Sequence, residues 1–503
     1  MIQLSGGPAI QSGKGWILAA LMCTMMLAAM DTTIVSTAIP SIVVDLGGFS
    51  LFSWVYSVYL LAQTVTIPLY GKLADVYGRK PVLLWGTFVF LVGSVASGAS
   101  WNMMSLIAFR DLQGLGAGSI LATVNTIAGD IYTVQERATI QGWLSSVWGI
   151  AAIAGPAIGG LFAQYGIWRW IFYINVPIGI TALILLIVFF NEHVESREHY
   201  INGRGIAIMT LSGVSVIFTL MQTGQIWAVA SYQTLIMVMI SVGLIIITVR
   251  TEQRSPEPIL PGWIWKNRVL LGANLAIVCM GAMMLGPNMY LPVYAQSVMG
   301  QGALAAGFIL ASMSIGWPVA SSYSGRLYLR IGFRSTALIG ASIVFAASVG
   351  FVLIPFNSPV YWVVLDQVML GVGFGLLSTP TIVGVQSVVA WQQRGVVTGV
   401  HIFSRYIGQS IGAAVLGGIF NISLQQELHR APRTLQSQLP TNLNLLLDVM
   451  LHPGTSNAIH EYLQLTFYGA TQTVYIAMAC IGILVILFLL LQPAGGWTVN
   501  EEM

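Results

Sequence analysis

The amino-acid sequence predicts an all-α protein that crosses a membrane many times. Charged residues make up 7% of the 503 residues and apolar residues 56%, a balance that soluble globular domains do not approach. Apolar runs of about 20 residues, the length that spans a bilayer as a helix, recur along the whole chain. We place fourteen such runs, near residues 16–38, 51–71, 81–98, 102–126, 139–163, 168–190, 205–223, 229–249, 268–291, 303–325, 335–355, 360–385, 395–420 and 467–491.

Lysine and arginine residues are distributed unevenly between the loops of this layout. An even number of spans puts both termini on one side, and the positive-inside rule makes the side richer in Lys and Arg cytoplasmic. Both termini are therefore predicted to lie in the cytoplasm, and the protein is predicted to span the inner (cytoplasmic) membrane of a cell. Arg169, Arg430 and Arg433 fall on the opposite side, whereas fifteen basic residues fall on the side of the termini: Lys14, Lys72, Arg79, Lys80, Arg137, Arg197, Arg204, Arg250, Arg254, Lys266, Arg268, Arg326, Arg330, Arg334 and Arg394.

The sequence offers no pattern typical of a cofactor, a metal or a nucleic-acid partner. The three cysteines, Cys23, Cys279 and Cys480, lie in apolar runs and form no disulfide or metal-binding pattern. A Gly-x-x-x-x-Gly-Lys-Ser/Thr phosphate loop is lacking, which argues against a pump driven by ATP. Of the six histidines only His401 lies within an apolar run, and we find no convergent nucleophile and base, so an enzyme is not predicted.

An internal duplication divides the chain into two halves. Membrane transport proteins often show such weak internal symmetry. We therefore predict a six-helix bundle over 1–190, a linker with two extra helices over 191–267, and a second bundle over 268–503 with a long outer loop at 421–466. Two glycine motifs repeat at offsets of 254 and 257: Gly71-Lys72-Leu73, Gly78 and Lys80 match Gly325-Arg326-Leu327, Gly332 and Arg334, and Gly114, Gly116 and Gly118 match Gly371, Gly373 and Gly375.

Asp31 lies within the first apolar run, where a charged side chain is costly. Membrane segments retain such groups mainly where they face a cavity, a partner or a proton path. Arg110 is its natural counter-charge, since an opposite charge favours the ionised carboxylate while burial opposes it. The alternative is an Asp31 near a helix end, solvated or bonded to Thr32 and Thr33. Further ionisable residues in apolar runs are Asp111 and Asp366, both candidates for proton coupling, and His401 and Arg405, of which His401 is a relay or a hydrogen-bonded spacer.

The loop after the second run predicts a conformational latch. Asp75 is placed to cap the N-terminus of a neighbouring helix, and Arg79 to reach a carboxylate, for which we predict Asp130. Gly71 and Gly78 allow a tight turn and close helix contact. The alternative is a basic loop that only sets the orientation of the protein in the membrane.

Two helical stripes are candidates for a substrate cavity. Tyr56, Tyr59 and Gln63 share one face of the second helix, and Met22, Met26 and Met30 recur at spacing four on the first. Methionine surfaces adapt to apolar ligands of different shape. Ordinary helix packing explains such stripes equally well, so this alternative stays open.

These motifs resemble those of the major facilitator superfamily, in particular its fourteen-helix drug:proton antiporters of the EmrB/QacA type. The 71–80 loop matches the superfamily signature, with Val76 where Arg is usual. The first helix matches at Asp31, Thr33, Val35, Ala38 and Pro40 and departs at Ser36 and Ile39. The fourth helix matches at Arg110, Gln113, Gly114 and Gly116, and the sixth begins with the run typical of the fourteen-helix branch, Trp168-Arg169-Trp170-Ile171-Phe172-Tyr173-Ile174-Asn175-Val176-Pro177-Ile178-Gly179.

The fifth helix matches the antiporter motif of that family, with Ala151 at one glycine position. Small residues let helices approach closely, and proline removes a backbone hydrogen bond so that a helix can bend. This helix is predicted to be the pivot about which the two halves rock. The alternative is a helix that packs closely through its glycines and does not move, and the physical properties of these residues fit both. The matching positions are Gly142, Gly155, Pro156, Gly159 and Gly160.

The resemblance implies a proton-coupled exporter of amphipathic or cationic compounds that works by alternating access. Its expected partners are small hydrophobic substrates, protons and membrane lipids, and an adaptor on the outer side is left open. The alternative on the same fold is an exporter or flippase of a lipid or lipid-linked molecule, with apolar lining in place of acidic selection.

Overall fold

The computed structural model describes residues 8–47, 51–192, 203–222, 231–256, 258–432, 435 and 457–493. The regular structure of these residues is helical. The helices of the first part are α1 Pro8–Leu46, α2 Phe52–Tyr77, α3 Arg79–Gly98, α4 Met103–Ile131, α5 Val134–Gln164, α6 Trp170–Tyr173, α7 Asn175–Phe189, α8 Gly203–Gln222 and α9 Tyr232–Arg254. Those that follow are α10 Gly262–Lys266, α11 Arg268–Ser297, α12 Ala303–Ala311, α13 Met313–Ile331, α14 Phe333–Val352, α15 Val360–Ser387, α16 Arg394–His429 and α17 Asn457–Leu490.

Twelve helical stretches of the described chain are long and apolar enough to cross a membrane, so this is a multi-pass membrane protein. They correspond to twelve of the fourteen predicted runs. The other two runs form α2 and α4, which have 26 and 29 residues and are therefore also long enough at about 1.5 Å per residue. They are less apolar than the twelve because glycines, polar amides and hydroxyl side chains lie along them.

The two halves of the molecule repeat one packing scheme. In the first half α4 packs between α2 and α3, and α1 packs on α5; in the second half α15 packs between α13 and α14, and α11 packs on α16. The glycine stripes explain this repeat. Gly114 and Gly118 lie against α2 and Gly116 against α3, while Gly371 and Gly375 lie against α13 and Gly373 against α14.

Gly78 and Gly332 occupy equivalent positions in the two halves, at the offset of 254 found in the sequence. Each ends one helix and precedes the next, with φ of 93° and 86°. Glycine adopts this left-handed backbone without the steric cost that a side chain brings. The two glycines related by this offset therefore form the same sharp turn in both halves of the chain.

Several element bounds differ from the prediction. The run at 168–190 consists of α6 and α7, interrupted at Ile174, and the run at 303–325 consists of α12 and α13, interrupted at Ser312. The outer loop predicted over 421–466 is helical at both ends, since α16 continues to His429 and α17 begins at Asn457. The rest of this predicted loop includes 433, 434 and 436–456, which lie outside the described residues.

One apolar cluster fills the first half and continues onto residues of the second half, including Tyr328, Ile382 and Ile402. Another apolar cluster lies within the second half. The two extra helices, α8 and α9, pack on each other, and α8 also contacts α2 and α16. Because α2 belongs to the first half and α16 to the second, α8 lies against the boundary between the halves, and α9 packs on α8.

Candidate functional site

A buried ion pair occupies the interior of the first half. Arg110 Nη1 lies 2.5 Å from Asp31 Oδ2, and both side chains are 0% exposed. Gln113 Nε2 donates to Asp31 Oδ1 at 2.9 Å, and Arg110 Nη1 also donates to Gln113 Oε1 at 2.8 Å. Both carboxylate oxygens therefore have a partner, as a buried charge requires.

The sequence places these groups on facing helices. Arg110 and Gln113 are three residues apart on α4 and so share one face, while α1 presents Asp31 to that face. Gly114 lets the backbone of α2 approach, and the Tyr59 ring lies 4.2 Å below the Arg110 guanidinium, in a cation–π arrangement. Arg110 Nε also donates to the carbonyl of Val55 at 3.2 Å.

The structure removes the alternative reading of Asp31. Helix α1 continues to Leu46, so Asp31 does not lie near a helix end. The hydroxyl of Thr32 donates to the carbonyl of Ala29 at 2.8 Å, and that of Thr33 donates to the carbonyl of Ala151 at 2.9 Å. The carboxylate is instead held by Arg110 and Gln113.

The other two predicted coupling carboxylates do not join this pair. Asp111 is half-buried, and no hydrogen bond or ion pair of its side chain is found in the described part of the chain. Asp366 lies on α15 in the second half, 6% exposed, where Gln367 Nε2 donates to it at 3.0 Å. A proton-coupling role for these two residues stays a prediction.

The predicted cavity face is mostly enclosed within the helix bundle. Tyr59 and Gln63 are 0% exposed and Met30 is 5% exposed, whereas Tyr56 and Met26 are half-buried. The structure therefore does not place Tyr59, Gln63 or Met30 on an open cavity. The Tyr59 hydroxyl, the Gln63 amide and Arg110 Nη2 are buried without a hydrogen-bond partner among the described residues, which makes the surroundings of the ion pair unusually polar.

A second charged cluster joins the two halves at one end of the bundle, here called the seam end. Arg79 is 1% exposed, and its Nε lies 2.9 Å from Asp130 Oδ2 and its Nη2 2.9 Å from Asp75 Oδ1. The predicted pair between Arg79 and Asp130 is thus present. Arg79 Nη2 also donates to the carbonyl of Trp391, and its guanidinium lies 3.9 Å from that indole ring.

Asp75 caps a helix of the opposite half. Its two carboxylate oxygens accept the backbone N–H groups of Gly395 and Val396, at 2.9 and 2.8 Å. These are the first residues of α16, where unpaired N–H groups and the helix dipole favour an anion. Arg394 Nη1 adds an ion pair to Asp130 at 3.2 Å. Asp75 thus lies at the N-terminus of α16 as a cap, and its role in a conformational latch stays a prediction.

Close backbone contact makes this capping possible. A Cβ on Gly71 would lie 2.6 Å from the carbonyl oxygen of Gly395, and α2 also meets Gly399 there. Sequence reasoning missed Trp391, Arg394 and Gly395. The spacing Gly395-x-x-x-Gly399, which is typical of closely packed membrane helices, was the available signal.

Helices α5 and α13 form the other contact between the halves. The hydroxyl of Tyr328 donates to the carbonyl of Val134, and Gly142 packs against Pro318 and Ser322. Gln386 Nε2 on α15 also donates to the carbonyl of Asn125 on α4. The cross-half hydrogen bonds described here all belong to the seam end.

The antiporter-motif positions on α5 face different neighbours. A Cβ on Gly155 would overlap Thr33 of α1, and Gly159 is buried. The prediction that Gly160 brings a neighbouring backbone close is wrong. In the described part of the chain, no backbone of another helix lies within 4 Å of the position that a Cβ on Gly160 would take. Pro156 lies inside an uninterrupted helix, Val134–Gln164. The motif thus places Gly142 against α13 of the second half and Gly155 against Thr33 of α1.

His401 and Arg405 form no charged pair in the described chain. His401 is buried, and its Nδ1 lies 3.2 Å from Asn274 Oδ1, the arrangement of the hydrogen-bonded spacer. Arg405 is half-buried, with its guanidinium 5.4 Å from the Tyr406 ring.

The Trp168-Arg169 pair lies at the end opposite the seam. Asp45 Oδ2 accepts from Arg169 Nη1 at 2.6 Å and from Trp168 Nε1 at 3.1 Å. These hydrogen bonds hold the pKa of Asp45 below its ordinary value. They join the end of α1 that lies away from the seam to the start of α6, within the first half.

Two helix bundles of one repeated design, a charged seam between them and a buried ion pair inside one of them are typical of a membrane transport protein. The chain matches the Major Facilitator Superfamily over residues 21–413. It belongs to that superfamily.

Named relatives include drug transporters. The chain is 31% identical over 412 residues to "Multidrug resistance protein 3" of Bacillus subtilis (strain 168), covering 81% of this chain and 80% of that protein. It is 32% identical over 411 residues to "Multidrug transporter protein MdtP" of the same organism, covering 82% and 76%. Solved structures share the fold: the human organic anion transporter MFSD10 matches with a TM-score of 0.64 at 12% identity, covering 96% of this chain and 100% of the other.

Proposed function

We propose that this protein is a proton-coupled multidrug exporter of the fourteen-helix EmrB/QacA type, which exchanges protons for amphipathic or cationic compounds. The observation that carries the proposal is the buried Asp31–Arg110 pair with Gln113. Two relatives of about the same length are named for multidrug resistance or transport, which favours drugs over the alternative of a lipid or lipid-linked substrate.

Asp31 is the proton-coupling group in this proposal. While ionised, it holds Arg110 and Gln113, which draws α1 and α4 together. Protonation removes the charge that Arg110 binds, so the attraction between the two helices falls. A proton moving inward supplies about 2.3 kcal/mol per 100 mV of membrane potential. Proton movement is coupled to transport when Asp31 is accessible from one side of the membrane in one state and from the other side in the other state.

The seam end faces the cytoplasm in this proposal. It carries Arg79, Lys80, Arg137 and Arg394, as the positive-inside rule requires. Both termini then lie in the cytoplasm, and the membrane is the inner membrane of the cell. With the seam joined by Asp75 and Asp130, the state described here is closed to the cytoplasm.

Helices α2 and α4 complete the fourteen spans. Helix α4 begins next to Ser100, whose carbonyl accepts from Arg169 at the end opposite the seam, and it reaches the seam with Asp130. It therefore extends from one end of the bundle to the other. Its neighbours α3 and α5 are both apolar enough to span, and only short turns connect them to α4.

The test is uphill transport by purified protein in proteoliposomes with an imposed proton gradient. The panel contains cationic and neutral amphipathic dyes and a fluorescent phospholipid. Wild type should accumulate dyes against their gradient, and Asp31→Asn should not, although it folds and inserts. Glu427→Gln is the matched control, because Glu427 forms an exposed pair with Arg430 and such pairs contribute little.

Uphill transport by a well-folded Asp31→Asn protein would refute the coupling role. Transport of the phospholipid alone would instead select the alternative substrate class. Asp111→Asn and Asp366→Asn, measured in the same assay, test the other two predicted coupling residues.

A further inference from the structure

A groove lies between α13 and α15, close to the end of α13 that precedes Gly332. It has a volume of about 400 Å³, and its apolar wall includes Val319, Tyr323, Val372 and Leu376. Arg326 and Arg330 line the same groove one and two turns further along α13. We call it the α13–α15 groove.

The groove is on the outer surface of the bundle. Positions 319, 323, 326 and 330 recur at helical spacing and form one stripe, whereas Ser322 and Gly325 face α5 on another side of α13. Val319 is 54% exposed and Tyr323 60% exposed. Since α13 belongs to a membrane-crossing stretch, Ala305–Ile331, an outward apolar stripe on it contacts lipid.

Arg326 and Arg330 have no counter-charge among the residues that the structure describes. In the described part of the chain, no carboxylate lies within 4 Å of Arg326 or Arg330, and both side chains are exposed. Two like charges four residues apart on a helix repel each other. At the offset of 254, Leu329 stands where the first half has Asp75, so the internal repeat supplies no carboxylate at this position.

The dimensions of the groove fit one lipid leaflet. Val319 and Arg330 are eleven residues apart on α13, about 16 Å along a helix axis. The hydrocarbon core of one leaflet is about 15 Å thick, half of the bilayer core of about 30 Å. With Arg326 and Arg330 at the headgroup level, the apolar wall follows an acyl chain toward the bilayer centre.

We propose that the α13–α15 groove binds an anionic phospholipid of the leaflet at the seam end. The phosphate lies on Arg326 and Arg330, and one acyl chain lies along Val319, Tyr323 and Leu376. The occupant is a lipid rather than a soluble phosphate because the apolar wall is continuous with the charged part. This site is separate from the Asp31 cluster and does not depend on what the protein transports.

Native mass spectrometry of the detergent-purified protein tests this site. The protein is mixed with equal amounts of dioleoylphosphatidylglycerol and dioleoylphosphatidylcholine, which differ only in the headgroup. Wild type should retain the anionic lipid preferentially. Arg326→Gln with Arg330→Gln should reduce that preference about twenty-five-fold, since each basic residue at an anionic membrane surface contributes about fivefold.

Two further variants separate this site from general attraction. Arg250→Gln with Arg254→Gln removes two exposed arginines of the same spacing on α9 and should leave the preference unchanged. Val319→Trp fills the groove at an exposed position, keeps both charges, and should lower retention of the anionic lipid. Added glycerol phosphate should not displace it.

Equal retention of the two lipids by wild type would overturn the proposal. So would an equal loss in the α9 control, or an unchanged preference in the Arg326→Gln, Arg330→Gln protein. Wild-type retention by Val319→Trp would show that charge alone attracts the lipid and would remove the groove from the site.

Discussion

Replacing Asp75 by Asn should open the seam end of the molecule. Asp75 belongs to the first half, yet its two oxygens accept the N–H groups of Gly395 and Val396, which begin α16 in the second half. Its side chain is 5% exposed, so water does not compete for these bonds. The same carboxylate also pairs with Arg79 at 2.9 Å, which fixes its orientation.

The free-energy change in Asp75→Asn follows from the hydrogen bonds that Asn can still accept. Its single carbonyl oxygen can accept one of the two N–H groups, so one hydrogen bond to a charged acceptor is lost, at about 1.5–3 kcal/mol. The loss of the negative charge at the N-terminus of α16 adds about 0.3–1 kcal/mol. The two contributions sum to about 2–4 kcal/mol, which changes the ratio of closed to open seam by at least about thirtyfold.

Distances between spin labels measure this ratio. Labels at Tyr77→Cys on α2 and Leu329→Cys on α13 lie on opposite halves, and both positions are exposed. The native cysteines, Cys23, Cys279 and Cys480, are first replaced. Asp75→Asn should move population to longer distances while substrate affinity stays close to that of wild type, because Asp75 is remote in the chain from the Asp31 cluster and makes no contact with it.

Glu136→Gln is the matched control. Glu136 pairs with Lys14 within the first half at 3.4 Å, and Gln keeps the capping box at the start of α5. It should leave the distances unchanged. A wild-type distance distribution in Asp75→Asn would refute the latch. Gly71→Ala tests it without a change of charge, because the added Cβ meets the carbonyl of Gly395 and should open the same seam.

Three further predictions concern the rest of the mechanism. Arg110→Ala should abolish transport and lower thermal stability, since a buried charge without its partner costs about 3–5 kcal/mol. Adding Asp31→Asn to this variant should restore the melting temperature but not transport. Normal transport by Arg110→Ala would show that Arg110 is not the functional partner of Asp31. Gly159→Leu should trap one access state in cysteine-accessibility measurements. Gly160→Leu is the control and should cycle normally, because Gly160 faces open space. Equal behaviour of the two variants would leave the pivot role of α5 without support. Tyr328→Phe, which loses the hydrogen bond to α5, should shift the seam toward the open state by about 1 kcal/mol, and unchanged spin-label distances would contradict this.

The sequence by itself determined the helical class and the positions of the helices. Apolar runs are local and long, and the length of a membrane helix is fixed by the bilayer, so run length alone locates a span. Repeated glycines at fixed offsets likewise revealed the duplication, because close helix contact in both halves requires a small residue at the same places. Asp31 and Arg110 stood out because few charges occur in such runs.

Only the tertiary structure decided which groups meet. Asp75 and Gly395 are 320 residues apart, and no local pattern encodes that α2 lies against the start of α16. The same holds for Gly160, which shares the motif of Gly159 yet faces open space, and for Tyr59 and Gln63, which are enclosed although their stripe is polar. Spacing along a helix identifies which residues share a face, whereas the partner of that face depends on how all the helices pack.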